Sequence, residues 1–475
     1  MAVIIKIFGL FYKIISTRLL GIEGMKMLSI IFPSVGLFLS LSSFSIQIVS
    51  NQMIALNKKT KELRASSIIL SAIRITLITT SIASIILLLL LPIYKNIFNT
   101  SLIYLPLLLT IPLLYFSNLS GVFKGYLEGT NNFTHPYISN VIESLTKLIL
   151  MTIFLLIFKN SDIISKIIII FLVYLLSEAS SFIYLLIIMK RKKGTIIPKK
   201  TKGLEIKIFK QALPLTLTIL VSSLSNYIFP FYLIILSNKL NIDSEILITE
   251  YTLITSYAMP SLVLLESVST TITKLIFPKI TEYRENETKL KRIITNSFII
   301  ILLSAILSFS INYFYTDFIL YFLYDNNLAN IITKKLAFLF ILLYFNPLLI
   351  SILEANNKEK YIFFIQILSD ILTIILSTIL MIIIGIEGLL YGILIGLLFK
   401  FLSLLFIVIK KTKVKINRIS LINNILLGAL YILSIKIFNN LIISILIYLG
   451  LVSLLYLYDN NIKVPYLYKK HKEYL

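Results

Sequence analysis

Apolar runs of around 20 residues follow one another along the whole chain, separated by short polar stretches. An apolar run of that length forms a helix that crosses the roughly 30 Å hydrocarbon core of a bilayer. The pattern predicts an all-α polytopic membrane protein with about fourteen spanning helices. The predicted helices are 2–20, 27–50, 66–92, 101–122, 136–158, 163–189, 208–236, 247–273, 293–316, 331–353, 360–384, 387–409, 418–437 and 440–458.

Two short segments recur at nearly the same spacing. Leu-Glu at 127–128 corresponds to Leu-Glu at 353–354, an offset of 226, and Pro-Ser at 33–34 corresponds to Pro-Ser at 260–261, an offset of 227. Each Leu-Glu pair precedes two adjacent Asn and an apolar helix that carries an acid. Two matches at nearly one offset predict an internal duplication, with two six-helix lobes in parallel repeat and two extra helices.

The duplication suggests a division into four parts. They are an N-lobe at 1–189, a basic linker at 190–207, a C-lobe at 208–409, and helices 13 and 14 with the tail at 410–475. The linker is expected to lie on the cytoplasmic surface and to bind anionic lipid. A soluble partner is the alternative ligand for it.

Composition agrees with the membrane class and adds an orientation. The chain is 58% hydrophobic and 14% charged, and its net charge is +23. Of 45 Lys and Arg, 31 lie in loops after even-numbered helices or in the tail, and 8 lie in or beside the other loops. This asymmetry predicts cytoplasmic termini, and it explains the charge without nucleic acid. Lys6, Lys13 and Arg18 interrupt the first apolar run, so no cleavable signal peptide is expected.

The sequence offers no pattern typical of an enzyme. No loop is long enough for a soluble catalytic domain, and the two His, His135 and His471, lie far apart. With no Cys, thiol and disulfide chemistry are excluded. No cofactor and no metal are expected, because neither a metal-ligand cluster nor a Walker motif is present.

Ionisable residues within the apolar runs are therefore the candidates for function, because charge inside a bilayer is costly and usually faces a cavity or a partner. Glu143 and Lys147 share one helix face, where they either line a cavity or neutralise each other. Glu178 and Asp370 lack a basic partner on their own helices. Glu266 and Asp370 are candidates for ion coupling, and Asn226 closes a polar stretch of helix 7. Lys6, Arg74 and Lys400 are expected to extend towards the membrane surface.

Four segments resemble the stage V sporulation protein B group of the multidrug/oligosaccharidyl-lipid/polysaccharide (MOP) exporter superfamily, which is close to MurJ-type lipid II flippases. The segments are TRLLGIEG (17–24), GVFKGYLEGTNN (121–132), ISNVIESLTKL (138–148) and LLSEASSFIYLL (175–186). The resemblance covers essentially the whole chain in helix count and layout, and is sharpest in helices 1 to 6.

The resemblance implies particular site residues. The family's basic positions in helix 1 fall on Lys13 and Arg18, its acid and base in helix 5 on Glu143 and Lys147, and its helix 6 acid on Glu178. Lys13 and Lys147 stand where Arg is common. Less apolar sequence precedes Lys13 than in the family, so helix 1 is expected to be short.

The function implied is a flippase in the bacterial cytoplasmic membrane for polyprenyl-diphosphate-linked saccharides, working by alternating access, with cell-envelope synthesis proteins as potential partners. A cation-coupled multidrug exporter of the same fold is the alternative. A membrane-embedded saccharide polymerase or ligase is disfavoured because the external stretches 237–250 and 317–330 are short.

Overall fold

The computed structural model describes residues 2–60, 65–98, 104–191, 203–240, 242–263, 266–283, 286–356 and 358–412, and also 426, 428–433, 435, 440 and 443–450. Among these residues the regular elements are all helical, as predicted. The centre of the basic linker, the C-terminal tail and most of predicted helices 13 and 14 lie outside the described residues.

Sixteen α-helices are assigned within the described residues, together with one π-helical turn, Leu253–Ala258, between α8 and α9. They are α1 Ala2–Ser43, α2 Ile46–Thr60, α3 Ala65–Phe98, α4 Tyr104–Gly129, α5 Thr134–Ile157, α6 Ile163–Arg191, α7 Leu204–Leu240, α8 Ser244–Thr252, α9 Met259–Val263, α10 Glu266–Glu282, α11 Glu287–Phe314, α12 Thr316–Tyr324, α13 Asn330–Leu343, α14 Asn346–Ala355, α15 Glu359–Ile384 and α16 Glu387–Lys411.

The predicted spans recur among these helices. In the described part of the chain, ten helices are long and apolar enough to cross a membrane, or eleven if one bent pair counts as a span. The first of the ten, Phe8–Ala55, includes most of predicted helix 1 and all of predicted helix 2. They are separated at Gly21, whose φ of 64° interrupts α1. Glycine adopts this left-handed conformation without the steric penalty of a Cβ.

Predicted helix 2 has the wrong C-terminal end. It was expected over 27–50, but the chain turns at Phe44 and Ser45, which both have positive φ, and a second helix, α2, continues to Thr60. The Phe44 ring stacks on Phe209 of α7 at 4.7 Å between ring centroids. This packing between distant residues holds a backbone conformation that local sequence does not favour.

The same division recurs in the second half, which agrees with the internal duplication. Segments 22–43 and 46–60 match 244–263 and 266–282, where predicted helix 8 is interrupted by the π-helical turn and by the end of α9. The ends of α4 and α14, Gly129 and Ala355, are 226 residues apart, the offset found in the sequence.

The chain forms two compact units, Met1–Thr252 and Leu253–Leu475. The first unit holds α1 to α8, and an apolar core within it is built from α2, α3 and α4 with parts of α6 and α7, around residues such as Ile46, Ile68 and Leu127. The second unit holds α9 to α16, whose core includes Leu336, Leu353 and Leu389. The predicted lobe boundary at the 190–207 linker stays a prediction.

Glycines permit two close helix contacts, one in each unit. A Cβ at Gly125 of α4 would lie 2.5 Å from the Gln47 carbonyl oxygen of α2, and one at Gly129 would lie 2.9 Å from the Asn51 carbonyl oxygen. In the second unit a Cβ at Gly392 of α16 would overlap Ser377 of α15. Small residues at this spacing let helix backbones approach closely within a membrane.

A short turn joins α5 to α6 outside the spans. Asp162 precedes α6, and its carboxylate accepts hydrogen bonds from the Ser165 hydroxyl at 2.6 Å and the Ser165 backbone N–H at 3.1 Å. These bonds favour the ionised form and hold the pKa of Asp162 below its ordinary value. Asp162 thus caps the N-terminus of α6.

Candidate functional site

The first unit contains a group of ionisable residues on α4, α5 and α6, here called the N-terminal charge cluster: Lys124, Glu143, Lys147 and Glu178. Glu143 lies at its centre. One Glu143 carboxylate oxygen is 3.2 Å from the Lys147 ammonium, and the other is 3.8 Å from the Lys124 ammonium. The three side chains are only 11–20% exposed. In such surroundings each charge depends on its partners, because an uncompensated charge would be costly.

Glu178 brings a second carboxylate to this cluster from α6. It interacts electrostatically with Glu143, Lys124 and Lys147 and contacts the Ser117 hydroxyl of α4. Two ammonium groups and two carboxyl groups therefore face one another across three helices. A substrate anion that replaces a carboxylate at one ammonium would find the positive charge already held in place.

Aromatic rings surround the Lys147 ammonium. It lies 4.4 Å from the centre of the Tyr174 ring and 5.6 Å from the centre of the Tyr12 ring. The two tyrosines meet edge to face, and Phe32 packs against Tyr174. Such faces attract a cation, so the rings help to hold Lys147 in position.

The two predicted basic residues of helix 1 lie on α1, before the break at Gly21. Lys13 is half-buried and is adjacent in sequence to Tyr12, which belongs to the ring pair under Lys147. Arg18 is exposed. The ion pairs of the N-terminal charge cluster join α4 to α5, so the roles of Lys13 and Arg18 stay predictions.

Asn226 lies on the exposed side of α7. It ends the polar stretch 222–226, in a helix that also contains Pro214 and Pro230. An exposed side-chain amide at this position is accessible to a ligand. Its predicted role in a cavity stays a prediction.

The second unit has a smaller group, here called the C-terminal charge cluster: Glu266, Asp370 and Lys400. Lys400 interacts electrostatically with both acids, and the Gln366 amide donates a hydrogen bond of 2.8 Å to Asp370. Lys400 was expected at a helix end, yet it lies near the middle of α16 and is half-buried. Glu266 is the first residue of α10, where the helix dipole also favours a negative charge.

Sequence reasoning missed Lys124. Predicted helix 4 ended at 122, because the polar residues after Val122 are typical of a loop, whereas α4 continues to Gly129. The available signal was the spacing of Gly121, Gly125 and Gly129, which marks a continuous helix face packed on another helix. Tyr12 and Tyr174 were also missed, because their aromatic contacts depend on the packing of α1, α5 and α6.

The sequence profile of a family described as polysaccharide biosynthesis protein matches residues 1–284. Among curated proteins, stage V sporulation protein B of Bacillus subtilis (strain 168) is 24% identical over 368 residues, which is 74% of this chain and 70% of that protein. These matches confirm the resemblance found in helices 1 to 6.

Solved structures show the same fold. The lipid II flippase MurJ in an inward closed conformation aligns with a TM-score of 0.64 at 17% identity, covering 95% of this chain and 97% of MurJ. An inward-facing multidrug resistance MATE family transporter of the MOP superfamily also has a TM-score of 0.64, at 14% identity, covering 92% of this chain and 96% of that chain. The helical architecture and the profile match together place this chain in the polysaccharide biosynthesis protein family, with the MATE-like fold of MOP superfamily transporters.

Proposed function

We propose that this protein moves a polyprenyl-diphosphate-linked saccharide across the bacterial cytoplasmic membrane by alternating access between its two lobes. The observation that carries the proposal is the pair of lysines, Lys124 and Lys147, held by Glu143 among spanning helices. Charged groups among spanning helices usually pair with one another or face a cavity, and a diphosphate head group is an anion that two ammonium groups can bind together. Family membership supports a substrate on the route to a polysaccharide.

The chemistry of the cluster fits a diphosphate. Each ammonium offers three donors as a compact charge, without the fixed fork of a guanidinium. When a diphosphate arrives, Lys124 and Lys147 exchange part of their pairing with Glu143 for pairing with phosphate oxygens. Lys13 and Arg18 on α1 add positive charge for the same head group.

The saccharide and the lipid would make separate contacts. Tyr12 and Tyr174 present ring faces beside Lys147, and such faces suit the apolar side of a sugar. The polyprenyl chain would remain in the bilayer. An ion gradient or the membrane potential drives the cycle, with Glu266 and Asp370 as candidate coupling groups and both termini in the cytoplasm.

A second candidate function is export of organic cations. The rings of Tyr12, Phe32 and Tyr174 beside Glu143 and Glu178 also suit a flat cationic drug. In that case the acids bind the substrate, and the lysines only compensate their charge when the site is empty.

Translocation of lipid-linked saccharide in cells depleted of their own flippase separates the two functions. We expect the wild-type protein to restore translocation, and Lys124→Gln and Lys147→Gln to lose it. Lys159→Gln, in the exposed turn before α6, is the matched control and should keep it. The amount of each variant in the membrane is measured in parallel.

Two results would contradict the flippase proposal. One is rescue by both cluster variants at wild-type level. The other is absence of rescue by the wild-type protein together with dye export that is lost in Glu143→Gln or Glu178→Gln, which favours the drug exporter.

A further inference from the structure

The short helix α12 carries three exposed aromatic side chains on one side. Phe318, Tyr321 and Phe322 are 58%, 60% and 59% exposed. Their spacing of three and four residues places them together on a helix surface, and the rings of Phe318 and Phe322 stack at 6.2 Å. Three large aromatic residues in a nine-residue helix thus form an exposed, largely apolar surface, and such surfaces mark sites of interaction with a protein or a membrane.

The opposite side of α12 is buried in the second unit. Leu320, Leu323 and Tyr324 are nearly inaccessible. The Tyr324 ring meets the Tyr257 ring of the π-helical turn edge to face, with 5.0 Å between the ring centroids. The helix is therefore fixed in orientation, and its aromatic side cannot rotate into the protein core.

A polar edge runs beside the aromatic side. Asp317 in the first turn of α12 accepts a hydrogen bond from the Asn330 amide and lies 3.9 Å from the Lys334 ammonium. One edge of α12 is thus suited to water and another to an apolar medium. This division is typical of helices that lie at a membrane surface.

The neighbouring helices place α12 at the edge of the bilayer. A single residue, Tyr315, separates α11 from α12, and α13 begins within six residues of its end. The apolar part of α11, residues 293–314, has a length of about 33 Å as a helix, close to the roughly 30 Å core. If α11 crosses the bilayer, as its length and hydropathy indicate, its end lies close to the end of the hydrocarbon region, where α12 begins.

We propose that α12 is an interfacial anchor whose Phe318, Tyr321 and Phe322 insert into the boundary between lipid head groups and acyl chains. The positive-inside distribution assigns this boundary to the outer leaflet, because α12 follows an odd-numbered span. Tyrosine and phenylalanine suit that depth, since their rings are apolar and the tyrosine hydroxyl reaches water. By its contact with Tyr257, the anchor holds the π-helical turn at a constant depth.

The natural absence of Trp makes a direct test simple. The single-Trp variant Phe318→Trp is placed in phosphatidylcholine and phosphatidylglycerol vesicles whose acyl chains are brominated either near the head group or near the chain end. We expect blue-shifted emission, with stronger quenching by bromine near the head group. Ile375→Trp, on the exposed apolar side of α15, reports the deep position, and Asn160→Trp, in the exposed turn before α6, reports water.

Three outcomes would overturn the anchor. Emission like that of Asn160→Trp with quenching by aqueous iodide means that α12 lies in water. Shielding from both iodide and brominated lipid means that a protein partner covers it. Quenching equal to that of Ile375→Trp by deep bromine means that α12 lies within the hydrocarbon. None of these results depends on what the protein transports.

Discussion

At the scale of single residues, the functional chemistry depends on a few charges that share partners. Glu143 forms ion pairs with two lysines on two helices, and Glu178 interacts electrostatically with these three groups. The pair of Glu143 and Lys147 was predicted from their spacing of four on one helix. The ion pair between Lys124 and Glu143 could not be predicted, because it depends on how α4 packs beside α5.

Removing Lys124 should destabilise the folded protein. Lys124→Met leaves the poorly exposed Glu143 with one of its two ammonium partners, and we expect a loss of about 1–3 kcal/mol in the free energy of unfolding. The double variant Lys124→Met, Glu143→Gln should recover part of that loss, because the cluster then keeps one ammonium, Lys147, and one carboxyl, Glu178, and its charges balance again.

Unfolding measurements in detergent micelles give the free energy of unfolding of the single and the double variant. Lys159→Met, in an exposed turn, is the control, and its effect should stay within about 0.5 kcal/mol. Equal effects of Lys124→Met and Lys159→Met would show that the α4–α5 ion pair contributes nothing to stability.

At the scale of elements, close contacts between helices depend on glycine residues. Hydropathy alone does not distinguish these glycines from other residues of a span. The spacing of Gly121, Gly125 and Gly129 was visible in the sequence, but its partner, α2, was not. That partner exists only because the chain turns at Phe44 and Ser45, where stacking on Phe209 offsets an unfavourable backbone conformation.

A methyl group at Gly125 should disrupt this contact. Its Cβ would lie 2.5 Å from the Gln47 carbonyl oxygen and 2.6 Å from the Ser50 hydroxyl, so α2 and α4 must separate. We expect Gly125→Ala to lower the free energy of unfolding by about 1–3 kcal/mol. Gly36→Ala is the matched control, because an added Cβ there would meet nothing within 4 Å apart from its own stretch of helix, and the variant should gain up to about 1 kcal/mol in the free energy of unfolding. Thermal unfolding of both variants in the same detergent tests this expectation. Similar melting temperatures for Gly125→Ala and Gly36→Ala would contradict the close contact between α2 and α4.

At the scale of the whole molecule, the duplicated pattern of helices is the strongest regularity. Both halves contain a span that is interrupted and then continued by a second helix, 22–43 with 46–60 and 244–263 with 266–282. One acid of each charge cluster, Glu143 in the first and Asp370 in the second, lies on equivalent helices, α5 and α15, at an offset of 227. A parallel repeat of six spans gives both halves the same orientation in the membrane.

The orientation can be measured with single cysteines, since the chain contains none. We expect Asn160→Cys, in the turn after the fifth predicted span, to react with a membrane-impermeant maleimide in intact cells. Glu359→Cys, after the tenth predicted span, should react only once the membrane is permeabilised, because Lys and Arg concentrate on the cytoplasmic side. The reverse pattern would place both termini outside.

The sequence by itself determined the class, the approximate set of spans, the duplication and the family, because these depend on summed hydrophobicity and on local motifs. Apolar runs must cross the bilayer whatever their neighbours are. Only the tertiary structure decided which charges meet, where spans are interrupted and which side of α12 is exposed. Those features depend on contacts between residues far apart in the chain, such as Lys124 with Glu143 and Phe44 with Phe209, and a periodic pattern carries no information about such pairs.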